Sequence, residues 1–358
     1  MDIKNKVQED VLLAPFTTFK IGGQARYFIE VTDEDEIIGA IKFAAQQDIK
    51  IFILGGGSNI LIADEGFDGL VVKIASRGIL IKDEEFSSVN VTAQAGEDWD
   101  DFVKFCVNKN LAGLECLSGI PGLVGGTPIQ NVGAYGQEVS ETIKEVKVYD
   151  RLSRKTFKLS NARCGFEYRK SIFNTTHINQ YVVLEVSYLL KKNGLPKIVY
   201  KDLINYFKDK KPNLKETRQV VKKIRESKGM LVRQGGYDSQ SAGSFFKNPI
   251  ISKDLFLEIK EIVKKNKLIK DDELIPFFSV DEERYKIPAA WLIEKSGFHK
   301  GFQIGPAGLS TCHTLALTNR GDAKAKDILL LKEEIQKKIK DLFAIKLVPE
   351  PNLIGFDN

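Results

Sequence analysis

The chain has 358 residues, of which 43% are hydrophobic and 28% charged, with a net charge of +5. This is an ordinary globular composition, and the length suggests two or three domains. It contains no apolar run long enough to span a membrane. The opening "MDIKNKVQEDVLLAPF" lacks the long apolar core of a signal peptide. Cys106, Cys116, Cys164 and Cys312 form no C-x-x-C pair, the pattern of reduced thiols in a cytoplasmic protein.

In chain order, "ARYFIEV" reads as a strand, and "DEDEIIGAIKFAAQQ" as a helix with acidic residues in its first turn. "IKIFILG" is a buried strand running into glycines, "LVVKI" and "VNVTAQAG" are strands, and "DWDDFVKFCVNKN" is a helix. "TIKEVKVYD", "TFKLS" and "YVVLEVSYLL" have the alternating faces of antiparallel strands. A lysine-rich stretch near residues 205–228 reads as one helix at a domain boundary, its charges a solvated face. Acidic residues interleave with these lysines and no nucleic-acid motif accompanies them, so no nucleic-acid partner is expected. A milder expectation is that some of the positive charge attracts an anionic nucleotide. Farther on, "SKDLFLEIKEIVKKN" and "AAWLIEKSG" read as helices and "TLALTNR" as a strand. "AKAKDILLLKEEIQKKIKDLF" is a long amphipathic helix, with Ile328, Leu331, Ile335, Ile339 and Leu342 three or four residues apart.

Two glycine loops stand out. In "ILGGGSNIL", Gly55, Gly56 and Gly57 follow a strand. A dinucleotide fingerprint needs a third glycine where Ile60 stands, and a helix where "ILIADEGFDGLVV" reads as strand and turn, so a Rossmann site is rejected. A backbone phosphate nest and a tight strand-to-strand turn both remain open for this loop taken alone. The second loop, "LSGIPGLVGGTPIQNVGAYGQE", carries six glycines from Gly119 to Gly136. Long ordered loops of this kind are usually functional. Two such loops on non-Rossmann strands point to backbone laid against a large diphosphate ligand, a flavin dinucleotide rather than a nicotinamide one.

"GGGSN" with "GIPGLVGGTPIQNVGAYGQE" resembles the flavin-binding region of the MurB family of UDP-N-acetylenolpyruvoylglucosamine reductases, in its tyrosine-loop type. The likeness continues through "CGFEYRKSIF", "SAGSFFKNP", "AAWLIEKSGFHKGFQIG" and "LVPEPNLIGF". It implies an α+β fold. A PCMH-type (vanillyl-alcohol-oxidase-type) FAD-binding region of two α+β subdomains, residues 1–79 and 80–228, would be followed by a C-terminal α+β substrate-binding domain, 229–345. The segment 346–358 is expected to return to the first subdomain. FAD would be bound non-covalently, since no histidine precedes His177, and NADPH would be the co-substrate. The FAD contacts implied are Gly55, Gly56, Gly57, Ser58, Asn59, Gly122, Gly125, Gly126, Thr127, Gln130, Asn131, Gly133, Ala134, Tyr135 and Gly136. No metal is expected.

The resemblance also implies the reaction, reduction of UDP-N-acetylglucosamine enolpyruvate to UDP-N-acetylmuramate for peptidoglycan. Hydride from reduced FAD goes to C3 of the enolpyruvyl ether and a proton goes to C2. Arg169, Ser244 and Glu350 match the catalytic residues. Arg169 would fork onto a carboxylate, and Ser244 would give the proton to C2. Glu350, if kept protonated, would hydrogen-bond the intermediate or relay a proton. Tyr200, Lys228, Asn248 and Gln303 match substrate contacts, with Arg233 able to share the role of Lys228. A cytoplasmic monomer acting on small molecules, with no membrane insertion, is expected. Two other readings remain at this point: a flavin oxidase of the same wider fold, and a nucleotide-binding module that regulates a partner.

Overall fold

A computed structural model describes residues 3–83, 87–231, 236–270 and 273–356. The chain divides into two units. The first takes the residues up to Leu12, Gln24–Gly57 and Phe67–Ser227, and the second takes Leu13–Gly23, Ser58–Gly66 and the chain from Lys228 on.

The first unit contains two main sheets. Strands Gln8–Leu12, Gln24–Val31, Phe67–Ile74 and Ile51–Leu54 lie in that order, the last three mutually parallel. Helix α1, Glu34–Gln46, begins where the Asp33 carboxylate accepts the Glu36 N–H at 2.8 Å. Its Ile37, Ala40, Ile41 and Ala44 recur at helical spacing and share a buried cluster with Ile29, Val31, Leu70 and Val72. The second sheet is antiparallel, in the order Lys155–Ser160, Ile143–Asp150, Tyr181–Lys192, Ser88–Gln94 and Ile79–Asp83. The three central strands expected from their alternation are therefore neighbours. Helix α2, Trp99–Asn108, packs Trp99 and Phe102 around Tyr188 of the longest strand, with ring centroids 5.2–5.9 Å apart.

The segment expected as one helix near 205–228 is two: α3, Lys201–Phe207, and α4, Leu214–Ser227. Lys208 turns into the left-handed region with φ 50°, which ends α3. Pro212 then disfavours helix in the residue before it. Asn213 starts α4 with a reciprocal cap, accepting the Glu216 N–H at 2.9 Å while its own N–H reaches the Glu216 carboxylate at 2.8 Å. The solvated-face expectation also fails in part, because Arg218 and Arg225 of α4 are buried.

The second unit has small sheets around helices α5, Lys253–Lys265, α6, Ala289–Lys295, and α7, Ala325–Phe343. Ile250–Ser252, Arg284–Lys286 and Phe278–Ser279 form one sheet, and Gln303–Ile304, Ala307–Leu309 and Leu317–Asn319 another. The strand expected over "TLALTNR" is thus only its Leu317–Asn319 part. Asn352–Ile354 runs parallel to Ile60–Ile62. Asp64 accepts the Ala325 N–H at 2.7 Å at the start of α7. Ile328, Leu331, Ile335 and Ile339 are buried as their spacing requires. Leu342 is only half-buried, and Phe343, packed on Trp291 at 6.1 Å, takes the core position instead.

Ile335 is fully buried in this core. Ile335→Ala is expected to cost about 2–5 kcal/mol of stability, read as a lower denaturant midpoint with α-helical circular dichroism intact in water.

Candidate functional site

In the first unit the strand Ile51–Leu54 delivers Gly55–Gly57 against the second glycine loop. A Cβ added to Gly56 would sit 2.6 Å from the Gly122 Cα, so the two backbones meet where no side chain fits. The second loop is anchored by its own backbone. Val124 N–H donates to Glu97 O at 2.9 Å, Gly125 N–H to Ala95 O at 2.9 Å, and Trp99 N–H to Gly122 O at 3.0 Å. Residues Val124–Gly126 make one tight helical turn. Gly125 has its missing Cβ pressed on Ala95 at 2.6 Å, whereas Gly55 and Gly126 face open space with nothing within 4 Å. Thr127 is buried, with its hydroxyl 2.7 Å from that of Tyr188.

The end of this loop is a two-residue hairpin. Gly133–Ala134 pairs with Gln137–Glu138, and both central residues, Tyr135 (φ 49°) and Gly136 (φ 80°), are left-handed. Asn131, itself left-handed at φ 47°, uses its side chain three times. It donates to the Glu138 carboxylate at 2.8 Å and to Glu167 O at 3.1 Å, and accepts the Ser140 N–H at 3.1 Å. Glu167 opens the tight turn that carries Arg169. Arg169 also has a positive φ, 56°, uncommon for a side chain of this size. Its guanidinium donates to Gly133 O at 2.8 Å and lies 5.2 Å from the Tyr168 ring centroid. Tyr200 starts α3 and meets Tyr135 edge-on at 5.3 Å. The buried Glu115 carboxylate ties this segment down, accepting the Lys197 N–H at 2.9 Å and the Gln137 amide at 3.3 Å.

The first glycine of the loop is gripped as well. Gly119, at φ 74°, donates its N–H to Asp100 at 2.5 Å, and its carbonyl accepts the Arg225 Nε–H at 3.0 Å. Arg218 forks onto both Asp100 oxygens at 2.5 and 2.8 Å, with Lys222 at 3.2 Å. Burial alone would push the Asp100 carboxyl up. The hydrogen bonds from Arg218 and Gly119 and the charges of Arg218 and Lys222 outweigh it, holding the carboxyl at about 2. Sequence reading missed Asp100, Arg218, Arg225 and Glu115, although the spacing of Arg218, Lys222 and Arg225 on one helix face was a visible signal.

In the second unit, Ser244 and Glu350 are brought together by backbone. Phe245 N–H donates to Leu315 O at 2.9 Å, Glu350 N–H to Phe245 O at 2.8 Å, and Lys247 N–H to Val348 O at 2.9 Å. The segments 245–247 and 348–350 thus form a short antiparallel ladder, with Phe246 opposite Pro349 and Ser244 just off its end. Ser244 is half-buried, and among the described residues no group hydrogen-bonds its hydroxyl. The Asn59 side-chain amide donates to Glu350 O at 3.3 Å, and its backbone carbonyl accepts the Asn352 N–H at 3.0 Å. Asn248 accepts the Ala289 N–H at 2.9 Å and so caps α6. Gln303 is exposed and donates to Gly305 O at 2.8 Å. Lys228 is half-buried, and the adjoining Gly229 packs on Ser310 and Cys312. Burial, with Lys228 and Lys300 nearby, pushes His313 down to about 4, so it is neutral. Arg233 lies outside the described residues.

The open faces of Gly55 and Gly126, beside backbone held too close for any side chain, are a cradle suited to a large planar dinucleotide. The residues therefore fit FAD. Burial pushes the Cys116 thiol up and keeps it protonated, a poor nucleophile for a covalent flavin bond. Among the described residues there is no metal-binding group of His, Cys, Asp or Glu, and no helix long and apolar enough to cross a membrane.

Residues 25–153 match the family described as FAD binding domain, and the mixed α+β architecture around the cradle agrees. The class is an FAD-binding flavoprotein. Residues 235–354 match the C-terminal domain of UDP-N-acetylenolpyruvoylglucosamine reductase. The chain is 43% identical to the reductase of that name from Thermobifida fusca, over 97% of both chains. It is equally, 43%, identical to the one from Streptomyces coelicolor, over 98% of this chain and 91% of the relative. The crystal structure of UDP-N-acetylenolpyruvylglucosamine reductase (MurB) from Thermus caldophilus shares the fold, with a TM-score of 0.65 at 24% identity, over 97% of this chain and 98% of that one. The chain belongs to the UDP-N-acetylenolpyruvoylglucosamine reductase family.

The two neighbouring glycines should respond differently to valine. Gly126→Val fills only open space, so the fold is expected to hold while flavin absorbance of the purified protein is lost. Gly125→Val drives a side chain into Ala95 and is expected to lower the melting temperature as well. Equal flavin content in Gly126→Val and wild type would remove the loop from the flavin site. For pH, Asp100 titrates below its ordinary value of 3.8. Its stabilising contribution is fully present above 3.8 and is lost as pH falls through about 2, so acid unfolding, followed by circular dichroism, should shift to higher pH in Asp100→Asn.

Proposed function

We propose that the chain reduces UDP-N-acetylglucosamine enolpyruvate to UDP-N-acetylmuramate with NADPH, using non-covalent FAD, in peptidoglycan precursor synthesis. The observation that carries the reading is the full-length identity to reductases of this family, spanning both the FAD binding domain and the reductase C-terminal domain. Residues 1–79 and 80–228 are assigned to flavin and 229–345 to substrate, with 346–358 returning to the first part. The protein is read as a cytoplasmic monomer.

FAD, when bound, supplies hydride chemistry between the nicotinamide and the enolpyruvyl double bond. Gly55, Gly56, Gly57, Ser58, Asn59, Gly122, Gly125, Gly126, Thr127, Gln130, Asn131, Gly133, Ala134, Tyr135 and Gly136 are the residues assigned to hold it. The side chains of Asn131 and Thr127 have protein partners, so contacts there would come from backbone. Arg169 is assigned to the substrate carboxylate, where negative charge grows as C3 is reduced. A guanidinium stays charged at any working pH and can meet both oxygens. Its bond to Gly133 O, at 2.8 Å, ties the guanidinium to the end of the glycine loop.

Ser244 is assigned the proton transfer to C2. A serine hydroxyl is a weak acid, adequate only toward a strongly basic carbon, which is what an enolate presents. It needs no histidine partner, because it donates a proton rather than attacking. Glu350 is assigned a hydrogen bond to the same intermediate or a proton relay. Tyr200, Lys228, Asn248 and Gln303 are assigned to the nucleotide-sugar. Asn248 has a helix cap on its carbonyl, so its N–H groups are the ones offered to a ligand. The neutral His313 adds no charge beside Lys228.

Rapid mixing without oxygen tests the assignment of Ser244. In Ser244→Ala, bleaching of flavin absorbance by NADPH is expected at the wild-type rate. Its recovery on adding the enolpyruvyl nucleotide should slow by roughly 10²–10⁴-fold. A variant slowed mainly in the NADPH step would falsify the role. Separately, Tyr200→Phe should weaken UDP-sugar binding in a calorimetric titration at unchanged FAD content. An unaltered Kd there would count against Tyr200 as a substrate contact.

A further inference from the structure

Helix α4 does more than link two parts of the chain. Arg218 and Arg225 are both 8% exposed, rare for arginine, and seven residues apart they share one helix face with the buried Val221. Arg225 spans the second glycine loop. Its Nε–H holds Gly119 O at 3.0 Å where the loop begins, and its guanidinium hydrogen-bonds Tyr135 where the loop ends. Asp100 holds the Gly119 N–H at 2.5 Å and is itself fixed by the two-pronged Arg218 contact at 2.5 and 2.8 Å. The N–H and the C=O of one left-handed glycine are therefore gripped from opposite helices, α2 and α4.

This arrangement has an energetic purpose. Fixing each backbone residue costs about 1–2 kcal/mol. If the glycine loop were ordered only when the cofactor arrived, that cost would be subtracted from cofactor affinity. Contacts that order the loop in the free protein move the cost into folding.

We propose that Asp100 and Arg218 are positioning residues for the flavin loop, holding Gly119 alongside Arg225 so that the cradle is ordered before FAD binds. The proposal rests on the reading that residues 119–136 hold FAD. Neither residue needs to touch the cofactor. Removing either leaves Gly119 N–H without its acceptor's geometry and buried charge without its partner.

The test is FAD release from diluted holoenzyme, followed by the rise in flavin fluorescence, with the equilibrium Kd from the same dilution series. Asp100→Asn and Arg218→Met are each expected to raise the Kd by at least about tenfold, about 1.4 kcal/mol. Arg218→Lys, which keeps the charge but not the fork, should fall between them and wild type and serves where the other variants fold poorly. The double variant should resemble the worse single one, since both act through one contact. At saturating FAD, kcat should return to within about twofold of wild type, because the chemistry is untouched. An unchanged FAD Kd in the single variants, with only the melting temperature lowered, would overturn the proposal and leave a merely structural ion pair. Wild-type FAD affinity in Gly126→Val would overturn the underlying loop assignment instead, so the two failures are distinguishable.

Discussion

The ordering of a glycine-rich loop is the constraint on which the first unit turns. Glycine loses more backbone freedom on folding than any other residue, and six lie between Gly119 and Gly136. Such a loop stays ordered only where every stretch has a fixed partner. Ala95 and Glu97 hold its middle, Trp99 holds Gly122, and Asp100 and Arg225 hold its start. Four of these come from one short run, residues 95–100, at the end of a strand and the beginning of α2. The same run carries Trp99, whose indole N–H reaches Leu117 O at 3.1 Å just before the first glycine of the loop. Buried aromatic packing and loop order are thus one structure: Trp99 cannot move without releasing the backbone on either side of it.

The second unit meets a different demand, to place Ser244 and Glu350, from distant parts of the chain, with little freedom. It does so with a ladder of three residues against three, 245–247 and 348–350, whose rings Phe245 and Phe246 are fully buried. Burial of those rings fixes the backbone, and the backbone fixes Ser244 at the ladder's end. The serine hydroxyl is left uncommitted among the described residues while its neighbours are locked. The proton transfer proposed for Ser244 needs that combination, since a hydroxyl already donating to the protein could not donate to a substrate.

Much of this was legible in residues. The strand pattern of "YVVLEVSYLL" and its neighbours required an antiparallel sheet, although Tyr181–Lys192 is buried over most of both faces rather than on one, and the spacing in α7 required one apolar stripe. The glycine loops and "SAGSFFKNP" carried the resemblance. The pairing of Phe246 with Pro349 was not legible, because backbone pairing leaves no trace in side-chain pattern when each strand is only three residues long. Leu342 misled for a related reason: helical spacing allows either Leu342 or Phe343 inward, and only the neighbouring Trp291 decides. Ser58–Gly66 packing with the C-terminal unit follows from Asp64 at the start of α7 and from Ile60–Ile62 beside Asn352–Ile354, contacts set by tertiary structure alone.

The lysine-rich segment gives the most instructive error. A run of charge is read as solvated because an isolated buried cation is costly. Yet Leu214, Arg218, Val221 and Arg225 follow one another at four, three and four residues, the spacing of a buried stripe, and all four are buried. When a helical stripe places arginine at core positions, the physical question is where its partners lie. For Arg218 the answer is Asp100, from another helix; for Arg225 it is a backbone carbonyl and a tyrosine. The surrounding lysines, Lys215 and Lys223 among them, stay on the other face. Composition treats these cations alike; periodicity separates them. The delocalised guanidinium, with its several donors in a fixed plane, can satisfy itself inside the protein where an ammonium would be drawn out to water.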